Sequence, residues 1–223
     1  MTQPVNPYVA GRPLREESGF FGREDTVRWV SQDLLNPTTN ALVLFGQRRI
    51  GKTTLLLQLE RILAGDDFLP IYFDLQDQAT RPLGEVLLDL VDVVAECAAL
   101  QLPDLSAIDG RGHFFRHDFL PQLYQTLEEG CRPVFLLDEF DVLHQTEEGK
   151  LPQNVATRAL FPFLRGLMDE EPRLAFVFAV GRRAEDLSMD FTSIFKGALV
   201  RELWVLDRES ATSLILQAQA NGT

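Results

Sequence analysis

The chain has 223 residues, of which 45% are hydrophobic and 24% are charged, as in ordinary globular domains. A chain of this length buries a full core without disulfides or a structural metal. Its net charge of −12 argues against nucleic acid as the main partner, because binding a phosphate backbone normally needs a basic surface. It carries neither a secretory h-region nor the roughly 20 apolar residues that span a bilayer, so we expect no membrane partner and a cytoplasmic location.

The cysteines and histidines give no sign of a disulfide framework or a metal site. Cys97 and Cys131 form no C-x-x-C pair, and we expect small buried side chains in a reducing compartment. His113, His117 and His144 lack the spacing of metal ligands, so we expect surface or capping roles for them.

Residues 1–19 are predicted to form an extended arm, because they carry prolines and glycines and no sustained periodicity. A helix is predicted to begin at Glu24 and to end at Asn36-Pro37. Downstream, apolar runs that predict strands alternate with amphipathic runs that predict helices. The predicted strands span residues 41–45, 68–75, 133–140, 173–181 and 199–206. The predicted helices span residues 53–63, 82–100, 113–129 and 155–168, and a last helix follows Asp207 as its N-cap.

This alternation predicts an α/β fold with a mainly parallel sheet. We expect Pro162 to kink or interrupt the helix over residues 155–168. Residues 184–198 are predicted to form short helical or turn segments. The last helix runs almost to the end of the sequence, which is the pattern expected of a segment cut from a longer protein; the alternative is a natural end.

A phosphate-binding loop is predicted between the first strand and the helix that follows it. Gly46, Gly51, Lys52 and Thr53 match the pattern G-x-x-x-x-G-K-[ST]. The glycines allow backbone amides to turn toward phosphate oxygens, and the helix N-terminus offers its amides to the same anion. Lys52 can reach the β- and γ-phosphates, and the Thr53 hydroxyl can bind Mg²⁺.

The nucleotide contacts predicted in this segment belong to Gly46, Gln47, Arg48, Arg49, Ile50, Gly51, Lys52, Thr53 and Thr54. The directions of Arg48 and Arg49 stay open, because side chains at the x positions can face a lid, a partner or solvent.

The third strand ends in a pair of acids. It carries Asp138 to the carboxyl edge of the sheet, where ligands bind in open α/β folds. Asp138 can hold Mg²⁺ through water, and Glu139 can orient a water against the γ-phosphate. The alternative is that both acids cap the strand and meet solvent.

One predicted strand lies between the loop strand and the Asp138 strand, an order that resembles the additional-strand, catalytic-glutamate division of P-loop NTPases. The resemblance implies a three-layer α/β/α fold with a five-stranded sheet of order 5-1-4-3-2. The tip of the fourth strand, Gly181-Arg182-Arg183, would then lie beside the γ-phosphate, where a cation can stabilise transition-state charge. Arg182 is nearer the strand than Arg183; the alternative is a solvated arginine pair. The predicted catalytic residues are Glu139, Lys52 and Arg182.

Several segments together resemble AAA+ and STAND ATPases. FFGRED (20–25) resembles a box that lies against adenine in those families, although its acids are spaced differently; it implies that Phe21, Gly22 and Arg23 contact the base. LWVLDRESATSLI resembles the last core strand and the first helix of the lid. The resemblance implies an ATPase core over residues 20–206, the start of a helical lid over 207–223, and ATP with Mg²⁺ as ligands.

Three functions are compatible with these patterns. The first is slow ATP hydrolysis that works as a switch. The second is an interaction scaffold that self-associates or binds protein partners when nucleotide is bound, with little hydrolysis. The third is a DNA-associated ATPase similar to replication-initiator or transposition ATPases, against which the net charge argues.

Overall fold

The structure, a computed structural model, describes residues 13–14, 20–101, 109–144, 155–181 and 195–220. It contains one five-stranded sheet in which every pairing is parallel. The strands are β1 (Ala41–Phe45), β2 (Phe68–Asp74), β3 (Arg132–Asp138), β4 (Ala175–Val180) and β5 (Leu199–Glu202). Their order, β2-β3-β4-β1-β5, is the predicted 5-1-4-3-2 read from the other edge, so the predicted fold class is confirmed.

Helices cover both faces of the sheet, which gives three layers. The α-helices are α1 (Glu24–Leu34), α2 (Lys52–Leu63), α3 (Leu83–Cys97), α4 (Leu120–Thr126), α5 (Ala156–Glu170) and α6 (Arg208–Ala220). Strand β1 is buried on both faces because its alternate side chains enter two separate cores. Leu42 and Leu44 pack with α1 and α2, whereas Val43 and Phe45 pack with α3, α4 and α5.

Three predicted elements differ from the structure. The strand predicted over residues 199–206 ends at Glu202, although the Leu203 amide still donates to the Phe45 carbonyl at 2.6 Å. Helix α5 continues through Pro162, because buried side chains on both sides, including Leu160 and Phe163, hold it to the core. The helix predicted over residues 113–129 contains a π-helical turn, Phe115–Phe119, before α4.

A buried arginine ties the amino edge of the sheet to α1. Arg132, the first residue of β3, is 8% exposed, and its partners among the described residues are all main-chain carbonyls. The carbonyls belong to Leu34, Asn36, Thr39, Arg173 and Leu174. Burial lowers the pKa of this guanidinium, and its carbonyl partners compensate for lost hydration.

Among the described residues, none of the helices combines the length and the apolar character that crossing a bilayer requires.

Candidate functional site

The candidate site lies at the carboxyl edge of the sheet, where the segments after β1, β3 and β4 meet. Because the strands are all parallel, their carboxyl ends share one edge. The fold brings the loop over residues 46–51 to this edge, with Asp138 and Glu139 after β3 and Gly181 after β4.

The two glycines of the loop are required for different reasons. A Cβ on Gly46 would lie 2.8 Å from Ile50 Cγ2 and 3.1 Å from Leu203 Cβ, so the tight loop closes over a position without a side chain. Gly51 has open space around it but a φ of 97°, a left-handed conformation that side chains disfavour. Arg49 also has a positive φ, 66°, and bends the loop between the glycines.

The loop leaves a group of main-chain amides available to an anion. The first main-chain bond of α2 runs from the Leu55 amide to the Gly51 carbonyl at 2.9 Å. The amides of residues 51–54 therefore have no main-chain acceptor among the described residues. Free amides at a helix N-terminus form an anion-binding site, and this is the group that a phosphate requires.

Lys52 is held inside the loop that it follows. The residue is 4% exposed, and its ammonium donates to the carbonyls of Gly46 at 3.1 Å and Gln47 at 3.2 Å. A buried cation held by neutral carbonyls retains most of its attraction for an anion.

Asp138 ends β3 with a carboxylate that is fixed on both oxygens. The residue is 1% exposed; its Oδ2 accepts from the Tyr72 hydroxyl at 3.1 Å, and its Oδ1 accepts from the Glu139 amide at 2.9 Å. Leu136, two residues earlier on the same face of the strand, packs in the core beneath α2. The Asp138 side chain therefore lies on the face of the sheet that α2 covers, as does Thr53 in the first turn of α2.

Glu139 follows in a left-handed conformation, with a φ of 48°. Burial, and then the charge of Asp138, raise the pKa of its carboxyl, whereas the charges of Lys52 and Arg48 lower it. Glu139 therefore lies within electrostatic reach of the phosphate-binding loop. A partly desolvated carboxylate of raised pKa is suited to accept a proton.

Asp141 was not identified from the sequence. It is 7% exposed, and its Oδ1 accepts from the Gly181 amide at 2.7 Å, which joins the turn after β3 to the end of β4. A Cβ on Gly181 would lie 3.2 Å from the same carboxylate, so the approach is close. The sequence signal that could have found it is the third acid of the run Asp138-Glu139-Phe140-Asp141, directly after a buried strand.

The predicted adenine box connects the loop to α6. Arg23 donates through one nitrogen to the Ile50 carbonyl at 3.1 Å and to the Trp204 carbonyl at 2.7 Å. Burial is the main cause that lowers the pKa of Arg23. Gly22 has a φ of 67°, and a Cβ there would collide with Ser210 of α6. The box thus packs against both the loop and the helix predicted to begin the lid.

A cavity of about 260 Å³ opens beside the loop, between the ends of β1 and β5. Its lining includes Gly46, Gln47, Ile50, Leu203, Trp204 and Val205. Phe21, Gly22 and Arg23 do not line it, but Arg23 bonds to the main chain of its wall at Ile50 and Trp204.

The remaining predicted contacts fall in three groups. Gln47, Arg48 and Arg49 are exposed on the loop. The hydroxyl of Thr54 accepts from the Leu14 amide at 3.3 Å, so it faces the N-terminal segment. Arg182 and Arg183 lie outside the described residues.

The residues present fit nucleotide with Mg²⁺. Mg²⁺ typically uses one or two protein oxygens and completes its shell with phosphate oxygens and water. The carboxylate of Asp138 and the hydroxyl of Thr53 are oxygens of this type on the same side of the sheet. Within the described part of the chain, no cluster of three or more His, Cys, Asp or Glu offers an all-protein site. The rings of His113 and His117 lie 4.3 Å apart but belong to no such cluster.

Several solved structures share the fold. The chain is similar to a Walker-type ATPase of Pyrococcus abyssi, with a TM-score of 0.66 and 15% identity over 93% of this chain and 60% of that one. It is similar to domain III of the replication initiation protein DnaA of Thermotoga maritima, with a TM-score of 0.53 and 16% identity over 94% of this chain and 76% of that one. It is also similar to the ORC2 protein of Aeropyrum pernix, solved in ADPNP and ADP complexes. The TM-score is 0.54, with 16% identity over 98% of this chain and 54% of that one.

No protein-family model matches the chain, and no curated protein matches it. The chain spans about 60% of the Pyrococcus protein and 54% of the Aeropyrum one. We expected from the net charge that nucleic acid is not the main partner. One of these similar structures is a replication initiation protein, so the comparisons do not support that expectation. At these identities the likeness establishes the fold, which is the P-loop ATPase fold that this chain shares with them.

Proposed function

We propose that this chain is a Mg²⁺-dependent ATP-binding and ATP-hydrolysing domain of the AAA+ kind. The observation that carries the proposal is one arrangement at the carboxyl edge of the sheet. Buried Lys52 and the free amides of residues 51–54 lie at the end of β1, and Glu139, whose pKa responds to Lys52, lies at the end of β3. The arrangement supplies phosphate binding, metal binding and a base within one site.

Each residue has a distinct role in the proposed reaction. The loop amides and Lys52 bind the phosphates, and Lys52 exchanges its contacts with the Gly46 and Gln47 carbonyls for phosphate oxygens. Thr53 and Asp138 would hold Mg²⁺, which would neutralise phosphate charge. Glu139 orients the water that attacks the γ-phosphorus and accepts its proton, while the bond from that phosphorus to the β-γ bridging oxygen breaks and ADP leaves with the electron pair. Arg182 is the cation that we propose to face the γ-phosphate.

Two substitutions separate binding from hydrolysis. Lys52→Ala is expected to abolish ATP binding, because it removes the cation of the loop. Glu139→Gln is expected to keep ATP binding and to lower phosphate release by about 100-fold or more, the range for loss of a general base. Glu96→Gln, an exposed site near the C-terminal end of α3, is the matched control and should match wild type. Wild-type turnover in Glu139→Gln would refute the assigned base.

The switch role and the scaffold role differ in their dependence on protein concentration. Exposed apolar side chains near the C-terminal end favour self-association: Trp204, Val205, Ile215 and Leu216 are 44% to 77% exposed. A scaffold should form an ATP-dependent oligomer in light scattering, with turnover per chain that rises with concentration. If the chain stays monomeric with ATP and its turnover per chain does not change with protein concentration, the scaffold role is excluded and the slow hydrolytic switch is supported.

DNA association is the remaining candidate, and the replication initiation protein among the similar structures favours it. The net charge of −12 opposes it. Retention of duplex DNA that weakens steeply as salt rises would support it, since phosphate contacts release counterions. If the chain retains no duplex DNA even at low salt, DNA association is excluded.

A further inference from the structure

Tyr72 places a hydroxyl on the carboxylate proposed to hold Mg²⁺. It lies on β2, where it pairs with Leu136 of β3, while Asp74 pairs with Asp138. The Tyr72 hydroxyl therefore reaches along the sheet by two residues and donates to Asp138 Oδ2 at 3.1 Å. Its ring packs against the core beneath α2, which fixes the direction of the hydroxyl.

The contact controls which lone pairs of Asp138 remain available. Oδ1 is held by the Glu139 amide and Oδ2 by Tyr72, so the carboxylate plane cannot rotate freely. Each carboxylate oxygen accepts about two hydrogen bonds, so each keeps one lone pair for a metal or its water. On β2, Asp138 is faced by this hydroxyl and by the carboxylate of Asp74. Burial is the main cause that raises the pKa of Asp74; the Gln76 amide opposes it, and the charge of Asp138 raises the pKa further.

We infer that Tyr72 is a positioning residue that orients the Asp138 carboxylate toward Mg²⁺ bound with nucleotide. The inference rests on the proposed function. Groups that orient a metal ligand typically contribute 10- to 100-fold to metal affinity, because a rotating ligand loses its preorganised geometry. Tyr72 acts through Asp138 and makes no proposed contact with phosphate, so its effect should be confined to the metal.

The test measures the MgCl₂ concentration that gives half-maximal strengthening of AMPPNP binding by calorimetry. Tyr72→Phe keeps the ring and removes the hydroxyl, and we expect the half-saturating concentration to rise about tenfold. AMPPNP affinity in EDTA should stay unchanged. Tyr124→Phe is the matched control, because its hydroxyl also donates to a carboxylate at 3.1 Å, that of Glu171 at the end of α5.

A double variant distinguishes orientation from general loosening of the sheet. If Tyr72 acts through Asp138, adding Tyr72→Phe to Asp138→Asn should shift the Mg²⁺ requirement no further. An equal Mg²⁺ requirement in Tyr72→Phe and wild type would overturn this inference alone. A wild-type chain that is folded and binds no AMPPNP would overturn the proposed function and this inference together.

Discussion

Gly51 and Gly65 lie in similarly open surroundings but differ in backbone conformation. A Cβ on either would meet nothing within 4 Å, yet only Gly51 has a left-handed φ, 97°. Gly51→Ala should therefore lower the free energy of unfolding by about 1–2 kcal/mol, the cost of the left-handed region for a residue with a Cβ. Gly65→Ala should not. Urea unfolding of both variants checks this, and equal stabilities would contradict it.

Asp141 offers a second comparison of single residues. Asp141→Ala leaves the Gly181 amide without its acceptor and should cost about 1–3 kcal/mol of stability. Asp141→Asn keeps an oxygen at the same place and should retain most of that stability. Equal destabilisation by the two variants, measured by urea unfolding, would show that the charge of Asp141 matters and the hydrogen bond does not.

The sequence was informative for residues whose type the chemistry demands, such as Gly51 and Lys52. It was uninformative for Tyr72 and Asp141, because their partners lie on or directly after another strand and only the arrangement of the sheet brings them together. The contact of Arg23 with the base stays a prediction; what the sequence did not indicate is that its guanidinium donates to two main-chain carbonyls. Such contacts join segments that are far apart in the sequence, and local sequence patterns do not indicate which distant segments meet.

Among the elements, α6 begins at a side-chain cap. Asp207 Oδ1 accepts from the Ser210 amide at 2.7 Å, which confirms the predicted N-cap. The backbone bond to Ser210, followed by the bond to its side chain, lowers the pKa of Asp207 below its usual value of 3.8.

The lowered pKa gives α6 a pH dependence of defined sign. A carboxyl whose pKa is depressed by folding stabilises the folded helix above its unfolded pKa, and this contribution is lost as pH falls through the folded pKa. Amide exchange over residues 208–220 should accelerate as pH falls below about 4, beyond the intrinsic trend. Asp207→Ala should show fast exchange at all pH values. An identical pH trend in wild type and variant would contradict the role of the cap.

Element boundaries followed the sequence where one pattern dominated. Strand β1 begins and ends as predicted, because a wholly apolar run is bounded by polar residues and a glycine. Helix α5 did not break at Pro162, since burial along its inner face outweighs the lost hydrogen bond. The π-helical turn Phe115–Phe119 had no signal in periodicity, because its register is set by packing of those phenylalanines against the core.

At the scale of the whole molecule, Arg132 links the sheet to α1 and the turn that follows it. Its guanidinium donates to the carbonyls of Leu34 and Thr39 in that segment and of Leu174 before β4. Arg132→Met should fill the volume but leave buried carbonyls unpaired, at a cost of about 3 kcal/mol. Arg165→Ala, at a partly exposed helical ion pair, should change stability by less than about 1 kcal/mol. Similar unfolding midpoints for the two variants would contradict this account.

The fold as a whole was predictable because two motifs with one strand between them resemble the additional-strand, catalytic-glutamate division of P-loop NTPases, and that resemblance implies the strand order. The alternation of strands and helices then fixes a parallel sheet with helices on both faces. The domain limits remain predictions, and so does the assignment of α6 to a lid.

The most direct test of the central claim is calorimetric titration of the chain with AMPPNP in the presence of MgCl₂. We predict saturable binding of one nucleotide per chain that disappears in Lys52→Ala, because the buried ammonium and the free amides of the loop form the phosphate site. A folded wild-type chain that shows no binding, or a Lys52→Ala variant that binds as wild type does, would contradict it.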